Sequence, residues 1–136
     1  MANALYDTGR NTALGAGLGW TTNTISMILA TSGYTVNLAT DQFLTALSTN
    51  TVGSKVALSG KSASAGIATC SAVTFTAVPT GSTVIAFVFF IDTGTAGTSQ
   101  LIGYIDTLSS GPVNIATTGS NIVFTPDSGP NQLFKL

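Results

Sequence analysis

The chain has 136 residues, of which 44% are hydrophobic but only 7% are charged, and its formal net charge is −1. Soluble domains usually carry roughly 25% charged residues, so Ser, Thr, Asn, Gln and Gly must cover most of this surface. The sequence contains neither histidine nor glutamate, which excludes Ser-His-Asp and Cys-His catalysis and the common zinc sites.

The few charges also argue against several classes of partner. The basic residues Arg10, Lys55, Lys61 and Lys135 are scattered, so no basic patch for nucleic acid is expected. No apolar run reaches the 18 or so residues of a membrane span, and the N-terminus lacks a basic and then apolar secretion signal. The single Cys70 is interpreted as a small buried hydrophobe, which suits synthesis in a reducing cytoplasm.

The first half of the chain predicts two helical segments around one strand. Asn3 to Leu14 is the best helix candidate, with Asn3 as a possible cap, and the glycines at 15, 17 and 19 end it. Residues 24–31 alternate as a strand does. Residues 40–47 predict one or two helical turns with apolar residues on one face.

Beyond residue 50 the pattern predicts strands alone. Residues 84–91 contain no polar side chain, so both faces of this strand should be covered at the centre of a sheet. Residues 101–105 should return antiparallel to it as a hairpin, and a turn is expected at 127–130. The remaining predicted strands are 54–58, 66–75, 112–115, 121–125 and 132–136.

Short strands separated by glycine and proline favour a mainly β fold, an antiparallel β-sandwich or jelly-roll-like barrel. A short N-terminal helix and a short helix near residues 41–47 accompany it. We interpret residues 1–136 as a single domain, with residues 1–19 a candidate helical N-terminal arm.

Asp92-Thr93-Gly94 resembles the catalytic tripeptide of aspartic proteases. The same tripeptide recurs at Asp7, which shows how readily it arises in a chain rich in Thr and Gly. The family usually has Ala or Ser where Thr95 stands, and the apolar-apolar-Gly at 101–103 follows too soon. Asp-Thr-Gly is also an ordinary turn after a strand. We therefore predict no enzyme activity, no catalytic residue, no cofactor and no metal site.

Aromatic residues outside the strongest strands are the remaining candidates for a role, because such residues often anchor interfaces. Core packing is the favoured alternative for Trp20. The candidate interface residues are Leu5, Tyr6, Arg10, Trp20 and Tyr34.

Segments spread over the whole chain resemble a family of small virion structural proteins of tailed bacteriophages. They are Met1 to Asp7, Gly9-Arg10, Trp20 to Ile28, Leu38 to Leu44, Asp92 to Gly94, Leu101 to Asp106 and Gly129 to Leu136. This chain departs from the pattern in having Thr, Ser and Gly where relatives tend to carry charges. The resemblance implies a structural role and leaves the place in the particle open.

Within that class we expect a capsid decoration (cement) protein on the capsid surface of the virion, made in the host cytoplasm. Its partners would be the major capsid protein and copies of itself in a homotrimer. A tail, neck or fibre component is the first alternative. A carbohydrate-binding module is the second, and it requires an exposed aromatic platform.

Overall fold

A computed structural model describes residues 3–15, 17–126 and 133–135. The turn predicted at 127–130 and both ends of the strand predicted at 132–136 lie outside these residues. Helix α1 spans Asp7–Leu14, and 3₁₀ turns cover Leu44–Leu47 and Ala96–Thr98. None of the described helices is long and apolar enough to cross a membrane.

The strands are short and follow one another along most of the chain. In order they are β1 (Ala4–Leu5), β2 (Ile25–Thr31), β3 (Thr51–Ala57), β4 (Ser62–Ser64), β5 (Ile67–Thr69), β6 (Val73–Phe75), β7 (Thr83–Ile91), β8 (Leu101–Ile105), β9 (Thr107–Leu108), β10 (Gly111–Pro112), β11 (Ile115–Ala116), β12 (Ile122–Phe124) and β13 (Phe134–Lys135).

Strand β7 is the centre of the main sheet, whose order is β1-β8-β7-β2-β3. β2 pairs with it along one edge, while β8 and β11 share the other edge. All these pairings are antiparallel. The predicted central position and the predicted hairpin to residues 101–105 are both confirmed.

The main sheet is covered on both faces, which is why β7 needs no polar side chain. One face of β2 puts Met27 and Leu29 into a core shared with the small sheets β6–β12 and β4–β5–β13. The other face puts Ile28 and Ala30 into a second cluster. Residues of the 34–47 segment and Tyr6 cover that cluster. The fold is therefore mainly β, antiparallel and sandwich-like, as predicted.

The N-terminal segment differs from the predicted helix because its first residues pair with the sheet. Ala4 and Leu5 form β1 at the edge of β8, and the helix begins only at Asp7. Asn3 is no cap: its side-chain oxygen accepts from the backbone N–H groups of Asp106 and Thr107, both at 2.9 Å. The segment therefore lies on its own sheet and does not project from it as an arm.

Three other predicted elements are wrong in detail. The strand expected at 112–115 is divided between β10, which pairs with β9, and β11, which pairs with β7. The helix expected near 41–47 is a 3₁₀ turn over Leu44–Leu47. The strand expected at 66–75 is two strands, β5 and β6, and an additional strand, β4, pairs with β5. Ala65 and Gly66 reverse the chain between β4 and β5 at φ 53° and 78°, the positive angles of a tight hairpin turn.

Candidate functional site

The Asp-Thr-Gly sequence at residue 92 forms a site in which one carboxylate accepts three hydrogen bonds. One oxygen of Asp92, Oδ1, accepts from the Lys55 ammonium at 2.8 Å and from the Gly94 N–H at 2.9 Å. The other, Oδ2, accepts from the Ser26 hydroxyl at 2.7 Å. Three strands supply the site, because Ser26 lies in β2, Lys55 in the edge strand β3, and Asp92 directly after β7.

These contacts determine the direction in which the pKa of Asp92 shifts. Burial alone would raise the pKa of the carboxyl, but the hydrogen bonds from Lys55, Ser26 and Gly94 outweigh it and the pKa lies below its ordinary value. An aspartic protease needs two carboxyls that share a proton, which raises one pKa. Asp7, in the second tripeptide, instead pairs with Arg10 at 3.0 Å on helix α1. The Asp92 carboxylate thus links β2, β3 and the end of β7 through its hydrogen bonds.

A second polar cluster is buried under the other face of the sheet. The hydroxyls of Tyr6 and Tyr34 lie 2.8 Å apart, and Tyr34 donates to Asp41 Oδ2 at 2.7 Å. The same Asp41 oxygen accepts from the Asn37 N–H at 2.9 Å. Burial raises the pKa of both tyrosines, so both stay protonated at neutral pH. The cluster fastens the N-terminal segment to the 34–41 loop.

Four of the five predicted interface residues are buried in the protein interior. Their exposed fractions are 9% for Leu5, 0% for Tyr6, 7% for Trp20 and 5% for Tyr34. Only Arg10 is exposed. The expectation that these four form surface anchors does not fit their packing, because Leu5 and Trp20 belong to the first core cluster and Tyr6 and Tyr34 to the second.

Trp20 adopts the core position that was the favoured alternative. Its ring meets Phe89 and Phe134 edge-on, with centroids 6.1 and 5.2 Å away. Its Nε1–H donates to the backbone oxygens of Ser62 and Thr69 at 3.1 and 3.3 Å. The indole thus joins the main sheet to the β4–β5 hairpin.

A surface cavity of about 410 Å³ opens beside the second cluster. It is lined by Tyr34, Thr35, Val36, Ile85, Tyr104, Asp106, Thr107, Pro112 and Val113. Its two tyrosines are only 5% and 4% exposed, so they offer little ring face to a ligand. All the aromatic residues fall within the described ranges, and none of them is classed as exposed. The exposed platform required by a carbohydrate-binding module is therefore not found.

Most charged side chains make polar contacts within the chain, and two ion pairs, Asp7–Arg10 and Lys55–Asp92, join described residues. Of the charged side chains in the described ranges, each except Lys135 makes an internal polar contact. The contacts are Asp7 with Arg10, Asp41 with Tyr34 and Asn37, Lys55 with Asp92, Lys61 with the Asn23 carbonyl, and Asp106 with Thr107. The outer surface is therefore dominated by hydroxyl, amide and small apolar groups.

No family model, curated protein or solved structure matches the chain. Within the described residues, no three potential metal-ligating side chains of the Cys or Asp type come together.

Within the described residues the most exposed large hydrophobic side chains are Leu14 at 86% and Val123 at 54%, and neither was among the predicted interface residues. Leu14 could have been found, since helical spacing places it on the same face as the charged Asp7 and Arg10. Val123 could have been found as well, since strand alternation places it on the face opposite the buried Ile122 and Phe124.

Proposed function

We propose that the chain is a structural subunit of a tailed-bacteriophage virion, and that it acts as a capsid decoration (cement) protein bound to the outer capsid shell. The observation that carries the proposal is a surface with few charged side chains, since only 7% of the residues are charged and most of those described already make a polar contact within the chain. Burying an ion against a partner costs several kcal/mol unless it finds a counter-ion. Hydroxyl and amide groups cost less, provided that they form hydrogen bonds.

Attachment by such a surface is passive and multivalent. Each contact with a capsid subunit removes a modest area from water, and several contacts made at once multiply into firm attachment. The net charge of −1 provides little repulsion between copies. The sequence resemblance supports the same class of protein.

Pairing through strand edges contributes little to this mechanism. On the edge strand β3, Val52 and Val56 pair with Leu29 and Met27, so residues 53–55 bulge opposite Ile28 alone. A bulge together with a lysine is a common protection of a sheet edge against pairing. The broad faces and loops are therefore the proposed contact surfaces.

Co-sedimentation with virus particles tests the proposal. The purified chain is mixed with empty capsids, and separately with isolated tails, of the phage that encodes it, at low salt and at about 1 M salt, where the Debye length is about 3 Å. We expect saturable binding to capsids that changes less than about threefold with salt. A Lys135→Glu variant is the matched control and should bind equally well.

Other outcomes of this experiment decide against the proposal. Binding to tails alone would support the tail, neck or fibre alternative. Binding to neither particle, or binding that disappears at high salt, would contradict attachment through an uncharged surface.

A further inference from the structure

The cavity of about 410 Å³ lies where the chain leaves the main sheet and returns to it. β8 and β11 pair with the same edge of β7, and residues 106–114 between them leave that edge as the β9–β10 hairpin. The Val113 N–H donates to the Asp106 carbonyl at 2.8 Å and closes the base of this excursion. Ile85 of β7 lies between the two pairings. The cavity is therefore built by the sheet, the hairpin and the 34–36 loop.

Many of the side chains around the cavity are apolar. Val36, Ile85, Pro112 and Val113 line it, and no lysine or arginine does so within the described residues. Small-molecule sites in proteins usually have volumes of about 300–1,000 Å³ and combine an apolar wall with a few polar groups. Because a dry cavity of about 150 Å³ already holds benzene, this one has room for an aliphatic chain of about six carbons.

The polar group that indicates a ligand is the Tyr104 hydroxyl. Tyr104 is only 4% exposed, and no hydrogen bond within the described residues uses its hydroxyl. Every fully buried side-chain nitrogen or oxygen in that part of the chain has a hydrogen-bond partner. The Tyr104 hydroxyl is therefore not fully enclosed, and it opens to the cavity that Tyr104 lines. A buried ring thus presents one unused hydrogen-bond donor to the cavity.

The Asp106 carboxylate also lines the cavity and acts on the same hydroxyl. Burial and, after it, the negative charge of Asp106 raise the pKa of Tyr104, so the hydroxyl keeps its proton at neutral pH. The O–H group therefore favours a ligand atom that accepts a hydrogen bond. The nearby carboxylate disfavours a negatively charged ligand, because like charges repel strongly where water is excluded.

We propose that this cavity binds a small neutral aliphatic molecule whose head group, an amide or an alcohol, accepts a hydrogen bond from the Tyr104 hydroxyl. The aliphatic part packs against Val36, Ile85 and Val113 and so leaves water. The head group supplies the partner that the Tyr104 hydroxyl lacks among the described residues. The inference goes beyond the proposed role in the virion and does not depend on it.

Hexanamide and hexanoate are matched probes, because they have the same shape and differ in charge at neutral pH. Each is titrated into the nitrogen-15-labelled chain and followed by two-dimensional NMR of the backbone amides. With hexanamide we expect saturable shifts of the Ile85, Tyr104 and Val113 signals and a dissociation constant on the order of 1 mM, as is usual for so small a probe. Hexanoate should bind at least about tenfold more weakly.

Tyr104→Phe tests the hydroxyl and leaves the fold intact. The change removes no hydrogen bond within the described residues, so urea unfolding should match that of the parent. Hexanamide should bind to it about tenfold more weakly, the usual effect of losing one hydrogen bond. Val36→Trp, which fills the cavity from a half-buried position, should abolish the shifts. Thr74→Val, exposed on the separate β6–β12 sheet, is the control that should bind like the parent.

Several results would overturn the inference. They are hexanamide shifts that do not saturate or that fall elsewhere on the chain, equal binding of hexanamide by Tyr104→Phe and the parent, and equal binding of hexanoate and hexanamide by the parent. Because the titration uses the isolated chain, its outcome is separate from co-sedimentation with virus particles. Capsid binding without hexanamide binding would reject this site alone, and hexanamide binding without capsid binding would reject the proposed function alone.

Discussion

The hydroxyls of Tyr6 and Tyr34 lie 2.8 Å apart in the protein interior, and this contact joins the N-terminal segment to the 34–41 loop. Tyr34 has one hydroxyl proton and donates it to Asp41 at 2.7 Å. Tyr6 must therefore be the donor to Tyr34. The chain of hydrogen bonds runs in one direction, from Tyr6 to Tyr34 to Asp41.

This direction predicts unequal effects of removing the two hydroxyls. Tyr34→Phe leaves the Tyr6 hydroxyl buried without an acceptor and should lower the free energy of unfolding by about 2 kcal/mol. Tyr6→Phe leaves the bond from Tyr34 to Asp41 intact and should cost about 1 kcal/mol. Urea unfolding measures both. Equal costs, or a double variant whose cost is the full sum, would contradict the coupled arrangement.

The Asp92 site predicts a dependence of stability on pH. Its pKa in the folded protein lies below the unfolded value of about 3.9. The stabilisation is therefore complete above that value and is lost as the pH falls through the folded pKa. Asp92→Asn should lower the free energy of unfolding by about 1 kcal/mol at pH 7 and by much less near pH 2.

Asp7→Asn is the matched control for Asp92→Asn, because it removes an ion pair whose partners are about half exposed. Such pairs contribute little, so this variant should unfold like the parent at both pH values. A constant deficit of Asp92→Asn from pH 7 to pH 2 would show that its carboxylate charge does not matter. Hydrolytic activity of the parent that Asp92→Asn loses while folded would reject the non-enzymatic interpretation.

Close backbone contact between α1 and β8 predicts that any side chain at Gly9 lowers the stability of the fold. Gly9→Ala would place a Cβ 2.5 Å from the carbonyl oxygen and 2.8 Å from the Cα of Ile102. Backbone atoms cannot relieve such a clash by a change of rotamer. We expect a loss of about 1–3 kcal/mol in unfolding experiments, although alanine normally favours a helix. Gly97→Ala, with nothing within 4 Å of the new Cβ, should be nearly neutral.

Backbone strain at Ser48 predicts a stabilising substitution. Ser48 has φ 51° and ψ −124°, a conformation that residues with a Cβ adopt at a cost of about 1–3 kcal/mol. Ser48→Gly removes this cost but loses roughly 0.5–1 kcal/mol of chain entropy, so a net gain of about 1 kcal/mol is expected. Thr49→Gly, one residue along the same turn, should destabilise. A loss for Ser48→Gly in thermal unfolding would contradict the strain.

Cys70 should be chemically inert in the folded protein. Burial raises the pKa of its thiol to about 11, in spite of the nearby Lys61 ammonium, which lowers it. At pH 8 the thiolate fraction is then on the order of 100-fold below that of a free cysteine. Iodoacetamide should therefore label the folded chain at least about 100-fold more slowly than the urea-unfolded chain. Comparable rates would show that the thiol is accessible.

Local patterns in the sequence predicted the parts of the fold that depend on neighbouring residues. The unbroken apolar run at 84–91 identified the central strand, and the glycine and threonine loop after it identified the hairpin to β8. The split of residues 66–75 could not be predicted, since apolar and small residues alternate there without a break. Pairing with β12 and β13 decided where β5 ends and β6 begins.

The candidate sites likewise combine properties fixed by composition with properties that require the folded chain. Composition by itself determined that the chain lacks histidine and glutamate and has few charged residues, because these properties depend only on which residues are present. Only the tertiary structure decided that Leu5 and Tyr6 are buried, that residues 4–5 form a strand, and that Asp92 accepts hydrogen bonds from Ser26 and Lys55. Each of these depends on atoms of residues more than 25 positions away in sequence, such as Tyr34, Gly103 and Ser26, and no local pattern specifies such distant contacts.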